Sequence, residues 1–176
     1  MVNVTRAVLP TMRAQRSGVI ANFGSLGSWT GGAAYSNYAA TKWACTGISE
    51  SLYEELKPLG ITCTVIEPGY FRTGFLNVGA RIQSAKVIDD YSNTTVGQVR
   101  KALDTVDNKQ PGDVVKGSKV IVDVLTQTGA AAGRDIPIRI VLGKDCVDTI
   151  RQKCDSTLKL LKDWEPIITS TDHDDA

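Results

Sequence analysis

Two hydrophobic periods alternate along this chain and divide it into helices and short strands. Residues 2–15 read as a helix that stops before Ser17-Gly18. Gly18-Val19-Ile20-Ala21-Asn22-Phe23 reads as a short buried strand, closed by the glycine-bearing loop Gly24-Ser25-Leu26-Gly27-Ser28. Further on, Ala40, Ala44, Ile48, Leu52 and Leu56 recur at every fourth position, which predicts a long helix over 36–57. Pro58 and Gly60 end it. Ile61-Thr62-Cys63-Thr64-Val65-Ile66 is the next expected strand, ending at Glu67-Pro68-Gly69. Residues 70–110 lack a sustained period and are expected to be irregular with short helices, a length used for lids and binding segments. Pro111-Gly112-Asp113 sets up a helix to about 127 with Val120, Ile121, Val124 and Leu125 apolar. A third strand is expected over 138–143. A last helix over 145–161 carries Cys146, Ile150, Cys154, Leu158 and Leu161 on one side, and residues 163–176 read as a tail. Strand-helix alternation of this kind predicts an α/β fold, a parallel layer with right-handed crossovers.

At 176 residues the chain is expected to be a single domain, 1–176, large enough to bury a core. Its net charge of +1, without a basic stripe, argues against a nucleic acid or an anionic membrane as partner. No apolar run approaches the ~20 residues that span a bilayer, and residues 1–6 lack the basic start and apolar block of a secretory signal. A cytoplasmic location is the expectation. The cysteines, Cys45, Cys63, Cys146 and Cys154, form no C-x-x-C, and His173 is the only histidine. A zinc site would lack ligands, so no metal is expected, and reduced, mostly buried thiols are. The lone histidine, in an acidic tail, also excludes Ser-His-Asp and Cys-His catalysis.

Candidate chemistry lies in Tyr38-Ala39-Ala40-Thr41-Lys42, with Ser25 upstream. Four residues apart on a helix, the phenol and the ammonium share one face. A free tyrosine with a pKa near ~10 transfers protons poorly at neutral pH. Moving it toward ~7 takes about 4 kcal/mol, which a unit charge at ~4 Å supplies in a protein-surface dielectric. A serine from another loop would hold the oxygen that the tyrosine protonates or deprotonates. Tyr35 lies seven residues from Lys42 and reads as packing, as does Trp43; Gly24-x-x-Gly27 reads as a turn beside the serine.

The order Leu9-Pro10-x-Met12, Gly18-Val19-Ile20-Ala21-Asn22 leading to Ser25, Tyr38-x-x-x-Lys42 and Pro68-Gly69-x-x-x-Thr73 resembles the short-chain dehydrogenase/reductase family. The likeness covers nearly the whole chain and corresponds to the C-terminal part of such a doubly wound, parallel-sheet Rossmann fold. It implies an NAD(P)-dependent oxidoreductase that interconverts a carbonyl and an alcohol of a small molecule. Tyr38 would be the acid/base. Lys42 would tune it and hold the nicotinamide ribose. Ser25 would bind the reacting oxygen, and Pro68, Gly69, Phe71 and Thr73 would line the nicotinamide and its adjoining phosphate. The resemblance favours NADP, with NAD not excluded. The stretch Glu67-Pro68-Gly69-Tyr70-Phe71-Arg72-Thr73 is also similar to fungal enzymes related to 17β-hydroxysteroid dehydrogenases.

The family's T-G-x-x-x-G-x-G turn, N-N-A-G strand and ribose 2′-hydroxyl discriminator do not occur in this sequence. In that turn glycines let the backbone approach the pyrophosphate at a helix N-terminus. The catalytic asparagine is also missing, since Asn3 lies too near Leu9-Pro10 to match it. An N-terminally truncated domain is therefore the expectation, with the strand at 18–23 left as an open edge. Two alternatives follow. One is a catalytically incomplete remnant that works through subunit or partner contacts, with the 36–57 helix as a possible homo-oligomer surface. The other uses the same Tyr–Lys pair for epimerisation or dehydration.

Overall fold

A computed structural model of the chain describes residues 1–77, 79–82, 86 and 88–173. Helix α1, Val2–Gln15, leads into strand β1, Gly18–Phe23, and a 3-10 turn at Leu26–Ser28 precedes α2, Ser36–Leu56. Strand β2, Ile61–Pro68, is followed by α3, Thr95–Val106, and α4, Val114–Thr126. Strand β3, Arg139–Leu142, and α5, Lys144–Ile168, complete the order. The three strands form one parallel sheet in the order β1-β2-β3, with Gly18 opposite Ile61 and Val65 opposite Arg139. This is the α/β layering expected of the alternating pattern.

Two apolar clusters hold the layers together, one on each face of the sheet. On one, Ile20, Leu56, Ile61 and Cys63 pack with Leu9 and Met12 of α1 and Leu52 of α2. On the other, Ile66, Ile140 and Leu142 pack with Phe71 and with Ile121, Val124 and Leu125 of α4. Strand β2 is buried throughout its middle, as a strand covered on both faces should be. β1 differs: among the described residues it pairs with no strand but β2, and Val19 and Phe23 on the α4 side are exposed. The chain exposes 12109 Å², whereas a compact monomer of its mass exposes about 8,300 Å². Uncovered surface at β1 and along α5 accounts for the sense of that difference.

Two sequence expectations need correction, and the short helix expected in region 70–110 is present. The face of α2 that meets the sheet is Ala39, Thr46, Ser49 and Leu56, and the expected stripe members Ala40, Ala44 and Ile48 are exposed. Close packing on the sheet selects small side chains there, and two of them are polar because they bond to the strands. Helix α5 continues to Ile168 instead of ending near 161, so residues 163–168 of the expected tail are helical. Its Leu158, Leu161 and Trp164 are exposed. Region 70–110 contains the three-turn α3, started by Thr94, whose hydroxyl accepts from Val96 N. Residues 78, 83–85 and 87 of that region and 174–176 of the tail lie outside the described residues. No helix among the described residues is long and apolar enough to cross a membrane.

Candidate active site

The strand-to-helix loop after β1 is built to present Ser25. Gly24 passes so close to β2 that a Cβ there would press on Val65 and Glu67. Ser25 then takes an extended backbone and caps the 3-10 turn Leu26–Ser28, its Oγ accepting from Gly27 N at 3.1 Å. Ser28 returns the bond, its Oγ accepting from Ser25 N at 3.2 Å and donating to the Lys42 carbonyl at 3.0 Å. That last contact ties the loop to α2.

The first turns of α2 bring the other two groups to the same place. The Tyr38 hydroxyl donates to Ser25 Oγ at 3.0 Å. Lys42 Nζ lies 5.8 Å from the Tyr38 ring centroid and donates to the Phe23 carbonyl at the end of β1, 2.9 Å away. Tyr38 is 36% exposed, and Gly27 beneath its ring leaves the phenol room to reach the serine. Ser25, Tyr38 and Lys42, separate in sequence, thus converge at the carboxyl ends of the strands, where open α/β sheets place their ligands.

The second set of expected residues divides. Pro68 ends β2 and Gly69 N donates to the Leu142 carbonyl at 2.8 Å. A Cβ on Gly69 would strike the Asp145 carboxylate, which accepts from Tyr70 N at 2.6 Å. Thr73 is exposed, with its hydroxyl accepting from Phe75 N at 3.2 Å, and the Phe75 ring lies 6.0 Å from that of Tyr38. Region 70–110 therefore touches the Tyr38 side of the cleft. Phe71 faces the other way: its ring packs on Gly112 and Gly117 beside the α4 cluster, so only its backbone is free to line a ligand. Tyr35 precedes α2 and packs over Gly32, and Asn3 is exposed on α1. Tyr70 is largely exposed, yet partial loss of water raises its phenol above the ordinary value, with Tyr35, Asp145 and Tyr38 adding to the shift.

The chain's similarity to known proteins follows the same lines. The family model for short chain dehydrogenase matches residues 1–81, which hold the Ser25, Tyr38 and Lys42 cluster and Pro68-Gly69. Oxidoreductase BOA17 of Botryotinia fuckeliana (strain B05.10) is 33% identical over 148 residues, 84% of this chain and 51% of that one. The crystal structure of a short-chain dehydrogenase from Streptomyces avermitilis is 35% identical, with a TM-score of 0.81 over 97% of this chain and 58% of that one. This chain belongs to the short-chain dehydrogenase/reductase family. A short-chain dehydrogenase/reductase from Burkholderia phymatum in complex with NAD shares the fold alone, at 17% identity and a TM-score of 0.65 over 88% of this chain and 54% of that one. The chain spans about half the length of these relatives.

One group beside the family's site residues was not singled out from the sequence. Glu67, two residues before Gly69, is 0% exposed and accepts from Trp29 Nε1 at 2.8 Å, Thr46 Oγ1 at 2.9 Å and Arg139 Nη1 at 2.7 Å. The signal was available: a carboxylate continuing four buried strand positions must find a cation. Arg139 is that cation, one diagonal step away in the β2–β3 register. Of the thiols, Cys63 and Cys146 are buried, Cys45 is half-buried and Cys154 is exposed; all are free. Burial pushes Cys63 up to about 11, with nearby Cys45 adding to it, and Cys146 up to about 12, with the Glu67 and Asp145 charges adding to it.

Proposed function

We propose that this member of the short-chain dehydrogenase/reductase family carries the catalytic centre of an NAD(P)-dependent oxidoreductase acting between a carbonyl and an alcohol. The observation that carries the proposal is the Tyr38 hydroxyl bonded to Ser25 Oγ at 3.0 Å with the Lys42 ammonium beside the ring. In the reducing direction the phenol gives its proton to the substrate oxygen, which Ser25 Oγ holds by a hydrogen bond. In the oxidising direction the proton returns along the same path. Lys42 keeps positive charge beside the phenol while that proton moves.

A dinucleotide fits these side chains. An ammonium has three N–H donors, and among the described residues Lys42 gives one to Phe23 O; the others can bind ribose hydroxyls. The exposed Thr73 hydroxyl and the backbone at Pro68, Gly69 and Phe71 are the further groups assigned to the cofactor. When bound, the nicotinamide supplies or accepts the hydride. We assign NADP ahead of NAD on the reductase-like resemblance, and a titration of the chain with each reduced dinucleotide tests the order. A cytoplasmic location goes with this reading.

Replacing Tyr38 by Phe is expected to lower turnover at least ~10²- to 10⁴-fold, the range of a lost general acid/base, while dinucleotide affinity stays within a few-fold. Stopped-flow oxidation of NADPH against a panel of small ketones and aldehydes measures the first quantity, and NADPH fluorescence the second. Unchanged turnover in the Tyr38→Phe protein would sink the assignment.

A second reading is favoured by the exposed face of α2, where Ala40, Trp43, Ala44 and Ile48 lie uncovered. There the chain would act through association with a second copy or another subunit and turn nothing over. Self-association without NADPH binding supports it. NADPH binding by the 176-residue chain counts against it.

A further inference from the structure

We propose that Glu67 is a positioning residue for Ser25 and Lys42, acting through Trp29 and Thr46; the inference rests on the acid/base reading of the Ser25–Tyr38–Lys42 cluster. Glu67 sits at the end of β2 with no exposed surface, and each of its oxygens is engaged. Oε2 accepts from the Trp29 indole. Oε1 accepts from the Thr46 hydroxyl and from Arg139.

The two neutral partners stand next to the candidate catalytic groups. Trp29 follows Ser28 directly and closes the 3-10 turn that Ser25 opens, with Trp29 N donating to Leu26 O at 3.0 Å. Thr46 lies one helical turn after Lys42 on α2. One carboxylate therefore holds both the far end of the serine loop and the helix that carries Tyr38 and Lys42. Between those anchor points Ser28 makes the third tie, from Ser25 N to the Lys42 carbonyl. If the Trp29 anchor loosens, the Ser25 turn is left tied to α2 by Ser28 and by the Tyr38–Ser25 bond itself.

A carboxylate is the group this position demands. Three donors converge on it (an indole N–H, a hydroxyl and a guanidinium), and an ionised carboxylate accepts at both oxygens and donates nothing. An amide of the same shape has one acceptor end. With that end turned to Thr46 and Arg139, its NH₂ would face the Trp29 N–H, donor against donor. Trp29 is also held on its face, where the Arg139 guanidinium carbon lies 4.4 Å from the ring. Arg139 in turn bonds Glu50, at 2.6 Å from Nη2 and 3.2 Å from Nε. The ion pair thus fixes the indole in one orientation, and the indole fixes the loop.

A purely structural ion pair would lower stability when broken but leave Ser25 and Tyr38 in register. The test is to label the five tyrosines of the full chain with ¹³C at the ring carbon bearing the hydroxyl. The Tyr38 signal is assigned by its loss in Tyr38→Phe. Ser25→Ala removes the acceptor and sets the displacement expected when the Tyr38–Ser25 bond is gone. Glu67→Gln and Trp29→Phe are expected to move the Tyr38 signal in the same direction, and Ser25→Ala added to either is expected to move it little further. Trp29→Phe keeps the Glu67–Arg139 pair intact and carries the test if Glu67→Gln does not fold. An unmoved Tyr38 signal in Trp29→Phe overturns the proposal, and so does a displacement that adds fully to that of Ser25→Ala. In turnover assays both variants are expected to lose about 10- to 100-fold in kcat, as for a misplaced group, with KM within twofold. Loss of the acid/base reading would show separately, as full turnover in Tyr38→Phe, and leaves the NMR coupling to be read by itself.

Discussion

Replacing Arg139 by Met tests how much of the fold around the site depends on one cation. Glu67 has no exposed surface, and the Arg139 side chain is 20% exposed, so the pair is effectively buried. The guanidinium also bonds Glu50, whose side chain is 45% exposed, and stacks on Trp29. Removing it strands a buried charge, which costs about 3–5 kcal/mol. Loss of the exposed Glu50 contact adds at most about 1 kcal/mol, and loss of the stacking on Trp29 about 0.5–1 kcal/mol. Methionine fills most of the vacated volume, so the cavity contribution is small. The expected loss is about 4–6 kcal/mol, a large part of the stability of a domain this size. Urea unfolding followed by circular dichroism measures it, with the slope checked for constancy so that the midpoint shift reports stability. The informative comparison is the double variant Arg139→Met/Glu67→Gln, in which no charge is left stranded. It should be more stable than Arg139→Met alone, although it carries two substitutions. A loss below about 1 kcal/mol in the single variant, or a double variant less stable than the single, would refute the buried-charge argument.

Further predictions concern two glycines and the thiols. Gly60 has φ +73°, and a Cβ there would overlap the Arg16 carbonyl oxygen; Gly60→Ala should cost ~2–4 kcal/mol from left-handed strain and backbone displacement together. Gly47, inside α2 with open space around it, should do the reverse, Gly47→Ala gaining ~0.5–1 kcal/mol in the same urea assay. The raised thiols of Cys63 and Cys146 predict that stability falls as pH rises above about 9 and goes on falling to about 11 and 12. The sign follows because the unfolded chain releases those protons first, while below pH 9 both states keep them. Urea midpoints at stepped alkaline pH check this, and at pH 8 a thiol reagent should label exposed Cys154 at once but Cys63 and Cys146 only on unfolding.

Elements with a clean period were legible from sequence because burial alone sets their pattern. Strand β2 is a run rich in β-branched residues, Ile61-Thr62-Cys63-Thr64-Val65-Ile66, and its ends follow from Gly60 and Pro68-Gly69. The wrong face of α2 has a specific cause. Its sheet side carries Thr46 and Ser49, whose hydroxyls bond Glu67 Oε1 and the Cys45 carbonyl, with Asn22 Nδ2 donating to Ser49 Oγ at 3.0 Å. A hydrophobic count scores such residues as surface, and it promoted Ala40, Ala44 and Ile48 in their place. Phe71 shows another limit: its place in the family motif suggested a ligand contact without telling that its partly buried ring packs against the α4 cluster. Ser25, Tyr38 and Lys42 were legible because loop, helix turn and spacing are local. A need for a cation at Glu67 could be read from its buried strand, but its pairing with Arg139 could not, since only the β2–β3 register brings the two together.

The position of the cluster within the sheet bears on what a dinucleotide would need. Lys42 bonds the last carbonyl of β1, so the candidate chemistry sits at the carboxyl end of the strand whose outer edge is uncovered. The groups supplied by β2, from Glu67 to Gly69, approach from the opposite side, against β3 and α5. On the proposed reading, a dinucleotide in this cleft meets these side chains with its nicotinamide. The open hydrogen-bonding edge of β1, with Val19 and Phe23 exposed beside it, adjoins this cluster. A strand added at that edge would satisfy its unpaired backbone groups, and cover over Val19 and Phe23 would take apolar surface out of water. Dinucleotide affinity and stability should then rise together whenever a strand pairs with β1, and an edge that can be covered without any gain in NADPH binding would separate the two.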